Sequence, residues 1–431
     1  MGKVESVLDR LPRWLHLAVV TLMACGIGAL SGVGSWALFE ALDAATTTRL
    51  ENAWLVWLLP LAAFALGFAY HRYGGDARRG TSLVIGESLP PDDPSAPEST
   101  PSVPRRMAPM IFGATYIAQL TGASVGREGA ALQIGGSLTS LVLRPFRLSA
   151  HDRRLMLVAA MAGAFGGAFG VPMAGAVFAL EVQRTGRLRY EALAPALVAS
   201  IAADRVVEGL GRSTPLVNVD IGAVDLDVLW RLALVGLACG LAARLFIVAQ
   251  HQVKAAVTRL VAYGPARPVI GAVATLALMA MFGRDYLGLS LPLVEHALAG
   301  NAADWWDPVL TIVFTAIALG SGIPGGEVTP LFVVGSHTRF GVGQSVRSRS
   351  ASGRHGRAAG RLRRGGQHAD RLRAARHRVV RRLARLAGGT GVHRRLRGVA
   401  RTRHLRRPAR RLYERPPGQR STTTSRMNDG G

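Results

Sequence analysis

Glu128 stands in the run Gly126-Arg127-Glu128-Gly129, and the residues that follow, from Ala130 to Leu143, are apolar, small or uncharged until Arg144. The first turn of a helix leaves backbone N–H groups unpaired and carries a partial positive charge. An anion, or a carboxylate imitating one, is therefore stabilised there. Glu128 is placed to open such a helix. Ionised, its carboxylate can fill an anion site; protonated, it can leave that site to a diffusing anion, so one group would link proton and anion movement. The plainer reading is a first-turn acid that the helix dipole favours by ~0.3–1 kcal/mol. Spacing alone favours this cap, whereas an ionisable group beside a membrane-buried helix favours the gate.

A second cluster runs Gly320-Ser321-Gly322-Ile323-Pro324-Gly325-Gly326-Glu327-Val328-Thr329-Pro330. Its glycines and prolines impose a tight, non-helical backbone, after which a short helix can begin at Val328 and run to Val334, its amino terminus pointing into the membrane. Glu327 lies in that turn between apolar neighbours. It is either a second proton-carrying carboxylate or another helix cap, and spacing leaves the two open.

The elements that must position these residues are membrane helices. With 431 residues and 49% hydrophobic content, the chain is too apolar for an ordinary soluble enzyme and long enough for many spans, so it reads as an all-α polytopic membrane protein. The formal charge of +25 looks like a nucleic-acid signal, but residues 341–431 hold 26 Arg against Asp370, Glu414 and Asp429 and account for +23 of it. Cys25 and Cys239 lie in apolar segments without CxxC or metal-ligand spacing and read as core thiols; no metal or cofactor is implied. The apolar stretch 15–39 lacks a small-residue cleavage signature and reads as a retained first helix.

Further apolar segments fall at 53–70, 108–124, 129–143, 155–180, 192–203, 229–250, 268–282, 309–319 and 328–334. Several are shorter than the ~20 residues that cross a hydrocarbon core. Short helices interrupted by glycine can stop within a membrane only where their freed backbone groups line a protein cavity, so a fold of broken, tilted helices is expected. Gly163, Gly166, Gly167 and Gly170 fit close helix approach. The stretch 90–104, with six prolines, reads as a loop outside the membrane. Two domains follow: residues 1–340, membrane-embedded, and residues 341–431, an Arg-rich tail read as disordered, in which Leu372, Ala375, Val379, Leu383 and Leu386 show helical spacing suited to an anionic membrane surface.

Three ordered segments, Gly126–Gly129, Gly163–Glu181 and Gly325–Pro330, together resemble the signature segments of the CLC chloride channel and transporter family, over roughly residues 15–340. The resemblance implies a homodimer in a lipid bilayer, each subunit with its own pathway for a halide and a proton, formed where helix amino termini meet; Gly126, Arg127, Gly129, Gly325 and Gly326 would shape it. Glu128 matches the family's external gating glutamate. The family's first motif, which supplies a serine for chloride, corresponds here to the region of Thr81 and Ser82, while Ser321-Gly322-Ile323-Pro324 only imitates that motif ahead of the second signature. Gly325-Gly326-Glu327-Val328-Thr329-Pro330 is similar to the fluoride/proton antiporter branch. The inner proton-pathway glutamate of chloride exchangers is replaced here by Val182, after Glu181. The resemblance then offers Glu327 as substitute proton carrier and Val328 or Thr329 as lining of the ion site.

Family members continue with further apolar helices and a pore tyrosine, for which Tyr413 in its Arg-rich setting is no match. The first 340 residues use 24 Arg against Lys3 and Lys254, a sign of GC-rich coding, and a displaced reading frame in such DNA yields Arg, Gly, Ala and Pro. The tail from about residue 337 is therefore expected to be a frameshift product that lacks the last helices. An intact frame, with no apolar helices encoded in either alternative frame, would refute this. The function expected is proton-coupled export of fluoride, or of chloride, across a bacterial inner membrane, with a passive chloride channel as alternative. A membrane-anchored binder of nucleic acid or anionic lipid is the reading of another class; the tail lacks base-stacking aromatics, which weakens it.

Overall fold

The computed structural model describes residues 12–90, 101–183, 190–212, 226–290, 293, 306–328, 330–331 and 334–335. The Arg-rich tail, Thr329 and the proposed membrane-surface helix near residue 380 lie outside the described residues. Among the described residues every regular element is helical: α1 (Arg13–Glu51), α2 (Leu59–Tyr73), α3 (Thr81–Ser88), α4 (Met107–Thr121), α5 (Glu128–Val142), α6 (Ala150–Phe169), α7 (Pro172–Glu181), α8 (Leu193–Gly209), α9 (Leu226–Leu260), α10 (Arg267–Phe282) and α11 (Asp307–Gly320). Short 3-10 turns precede α2, α3, α8 and α10.

Four helical stretches, Arg13–Glu51, Ala53–Tyr73, Leu232–Leu260 and Gly264–Phe282, are long and apolar enough to cross a membrane. Their outward faces are greasy: Leu229, Trp230, Leu232, Leu237, Leu241 and Leu245 of α9 are all exposed. Such a continuous apolar surface is unfavourable in water and favourable against hydrocarbon. The segment expected as one span over 155–180 is two helices. Gly170 adopts the left-handed conformation at φ 67° that ends α6, and Pro172, which lacks an N–H, fits the first turn of α7.

The core forms where α1, α6 and α8 cross through small residues. A Cβ on Gly28 would lie 2.1 Å from the Ala199 carbonyl oxygen, one on Gly32 2.8 Å from the Ala203 Cα, and one on Gly166 1.9 Å from the Ser200 hydroxyl. Backbones at this distance gain dispersion contacts that bulkier residues would prevent. Helices α1 and α6, with α3 and α4, pack around α5, whose residues Glu128–Ser137 are all buried. A helix buried on every side holds its first turn in one place, and that turn carries Glu128. Cys25 and Cys239 are free and half-buried rather than core thiols.

Candidate functional site

Two chain reversals of the same design meet at the start of α5. At the end of α4, Gly122 turns left-handed at φ 88° and the amides of Gly122 and Ala123 donate to the carbonyls of Gln119 and Ala118. At the end of α11, Gly322 does so at φ 99°, and the amides of Gly322 and Ile323 donate to Leu319 and Ala318. Both are glycine C-caps with paired back-bonds, which only a residue without Cβ adopts without strain. Each then runs four residues to a glycine, Gly126 or Gly326. These two glycines form an isolated antiparallel bridge, exchanging N–H to O=C bonds of 2.6 and 2.8 Å.

The bridge explains the motif glycines. A Cβ on Gly325 would sit 2.4 Å from the Cβ of Val125, and one on Gly326 would sit 2.7 Å from the Gly129 nitrogen. Neither contact can be relieved by a side-chain rotation, because backbone meets backbone or a branched carbon. After the bridge both chains turn helical again. α5 begins at Glu128, and Val328, Pro330 and Leu331 are helical on the other strand. Two helix amino termini thus start from one pair of hydrogen bonds.

On one side of the bridge lies a cavity of about 770 Å³. Its walls bring together Thr81, Ser82, Gly129, Gly325, Gly326, Glu327 and Val328 from the residues expected from sequence. Gly80, left-handed at φ 58°, starts α3 there, so the first-turn amides of α3 stand at the wall. The Thr81 hydroxyl donates to the Gly129 carbonyl at 3.4 Å and accepts from Gln133 Nε2 at 3.2 Å. Ser82 donates its proton to the Arg79 carbonyl at 2.6 Å, which leaves its oxygen only as an acceptor. Arg78, Arg79 and Arg267 line the same cavity, with His71 beside them, so the arginines outnumber the carboxylate of Glu327. A low-dielectric cleft lined by one sign of charge concentrates the opposite ion.

Glu128, Gly126 and Arg127 are not on the cavity wall; Gly126 is in the bridge itself, and Arg127 and Glu128 follow it. Glu128 is 2% exposed, and its carboxylate accepts the backbone N–H of Arg127 at 3.1 Å while Oε1 stands 3.6 Å from Arg127 Nε. Glu128 is thus a buried acid in the first turn of α5. The Arg127 guanidinium lies 4.2 Å from the Phe39 ring centre and 4.0 Å from Asp43. Sequence patterns did not single out Phe39, Asp43, Gln133 or Arg212, because each is brought to the site by tertiary packing. The position of Gln133, five residues after Glu128 on an uncharged helix, was the one available signal.

The voltage gated chloride channel family matches residues 62–355. The chain belongs to that family. Among relatives of this voltage gated chloride channel family member, a chloride/fluoride channel protein of Pseudomonas syringae pv. tomato is 40% identical over 340 residues, covering 76% of this chain and 72% of the relative. An H(+)/Cl(-) exchange transporter ClcA of Vibrio parahaemolyticus is 27% identical, covering 76% and 73%. A crystal structure of a CLC-type fluoride/proton antiporter superposes with a TM-score of 0.70 at 27% identity, covering 76% of this chain and 82% of that one. Members of the family are integral membrane channels and transporters, not enzymes. The helical fold expected from sequence is thereby shown.

Proposed function

We propose that this CLC protein moves a small halide, with fluoride favoured, across a bacterial inner membrane in exchange for protons, as a homodimer. The observation that carries the reading is the Gly126–Gly326 bridge, with a buried glutamate at the amino terminus of α5 on one side and a cation-lined cavity holding Glu327 on the other. The anion would enter the cavity toward Arg78, Arg79 and Arg267 and meet the first-turn amides of α3, the second N–H of Gln133 and the turn at Val328. Fluoride is small and strongly hydrated, so it needs several close donors to replace its water. Glu128 would hold the far end of the pathway when ionised and release it when protonated. Glu327, on the cavity wall, would pass the proton onward. The likeness to a fluoride/proton antiporter supports exchange of fluoride for protons.

A passive channel is the second reading, favoured by the name of the 40% identical relative. Proteoliposomes loaded with fluoride or chloride separate the two. Coupled exchange drives protons inward as the anion leaves, even against a modest proton gradient. Anion efflux with no accompanying proton movement would overturn the exchange reading.

A further inference from the structure

Beyond Glu128 lies a charge cluster of which only Arg127 belongs to a family motif. Phe39 of α1 is 1% exposed, and two guanidinium groups lie over its ring, Arg127 at 4.2 Å and Arg212 at 5.2 Å from the centre. Two cations at one aromatic ring repel unless acids balance them. Asp43, one helical turn past Phe39 on α1, and Glu40, the residue next to Phe39, supply that balance. Arg212 Nη1 donates to Asp43 at 2.8 Å and to Glu40 at 3.4 Å. Asp43 reaches Arg127 only at 4.0 Å. Arg212, which follows the end of α8, thus keeps Asp43 for itself and leaves the Arg127 charge directed at Glu128, 3.6 Å away.

We infer that Arg212 and Asp43 are positioning residues that set, through Phe39 and Arg127, how firmly the ionised carboxylate of Glu128 is held at the amino terminus of α5. The inference rests on Glu128 being the gate. Other charges near the site are already engaged elsewhere. Asp204 and Glu208 of α8 pair with Arg205 at 3.5 and 2.7 Å. On the cavity side, His71, Arg78, Arg79, Arg267 and Glu327 stand across the bridge. Phe39 itself cannot yield, because it is packed in the core with Leu38 and Leu42.

The sign of the effect follows from charge alone. Taking away the positive charge of Arg212 also frees Asp43 to turn toward Arg127, and both changes weaken the hold on ionised Glu128. Protonation and opening then occur at higher pH. Removing the negative charge of Asp43 does the reverse.

The test is anion efflux from proteoliposomes as a function of pH for the full chain. Arg212→Gln is expected to move the midpoint of the flux profile up by on the order of half a pH unit, and Asp43→Asn to move it down by a similar amount. The double variant returns toward the wild-type midpoint, and Arg212→Lys, which keeps the charge, stays near it. A packing role alone would lower flux without moving the midpoint and would not be rescued by the second substitution. If Glu128→Gln leaves the wild-type pH dependence intact, the gate reading fails and this inference with it. If Glu128→Gln abolishes that dependence while Arg212→Gln and Asp43→Asn leave the midpoint in place, the gate stands and only the charge cluster is overturned.

Discussion

Arg127 and Glu327 occupy equivalent positions, each one residue past a glycine of the Gly126–Gly326 bridge, and they face different surroundings: Arg127 lies over Phe39, whereas Glu327 lines the cavity. The two reversals that carry them run antiparallel, so corresponding side chains leave the bridge in opposite senses. Glu128 and Val328 are related in the same way. The acid begins one helix away from the cavity and the valine begins the other at its wall. This arrangement gives a membrane protein two differently equipped faces from one repeated turn, and it divides the proposed proton path between two carboxylates.

Replacing Glu128 by Ala removes the group that would both fill and vacate the anion position. Proton movement coupled to anion efflux is expected to disappear while anion flux itself continues. Simultaneous recording of pH and anion concentration outside proteoliposomes checks this. Proton transport unchanged in the variant would reject Glu128 as gate.

Glu327→Gln keeps the size and polarity of the side chain but cannot carry a proton. The exposed position of Glu327 on the cavity wall makes a folding defect small, since surface substitutions shift stability by about half a kcal/mol or less. Proton flux is expected to fall by about tenfold or more with the protein still monodisperse in detergent, a fall in the range seen when one proton-transfer group is lost. Equal proton flux in variant and wild type would assign Glu327 to the turn rather than to transport.

The bridge also shows how far the sequence could be read. The motif glycines and Glu128 stood out because a left-handed turn, a close backbone crossing and a buried acid each demand particular residues. The start of α5 at Glu128 and the turn before Val328 follow from those demands. Neither the antiparallel pairing of Gly126 with Gly326 nor the placement of Thr81 against Gly129 was legible, since the partners are 200 and 48 residues apart and no local pattern encodes them. Helix α3 was missed for a related reason: eight residues of mixed character, Thr81–Ser88, have no periodicity to detect, and the helix is fixed by Gly80 and by packing on α5 and α6. The division of 155–180 into α6 and α7 was visible in Gly170 and Pro172, but unbroken hydrophobicity outweighed those two signals.

Gln133 is 3% exposed, donates one N–H to Thr81 and has its amide at the cavity wall. Gln133→Leu preserves volume and removes that donor set. A hydrogen bond to a charged partner contributes about 1.5–3 kcal/mol, so the affinity for fluoride is expected to drop roughly tenfold or more. Chloride, larger and less dependent on close donors, should lose less. Flux measured over a range of each anion gives the ratio, and an unchanged fluoride-to-chloride preference would remove Gln133 from the anion site.

Gly326→Ala tests the bridge itself. The added methyl would lie 2.7 Å from the Gly129 nitrogen and 3.3 Å from the Gly126 carbonyl carbon, so either the bridge opens or the first turn of α5 shifts. Overpacking of this kind typically destabilises by about 1–3 kcal/mol. Gly113→Ala is the matched control: it sits within α4 with nothing within 4 Å of the new carbon, and in a helix interior alanine is favoured over glycine by about 1 kcal/mol. Thermal unfolding in detergent should therefore show a lower midpoint for Gly326→Ala and an equal or higher one for Gly113→Ala. Because the strain falls on the amide that opens α5, anion flux in Gly326→Ala should be lost even at temperatures where the protein remains folded. Full flux in a stable Gly326→Ala protein would mean that the two helix starts need not be tied together for transport.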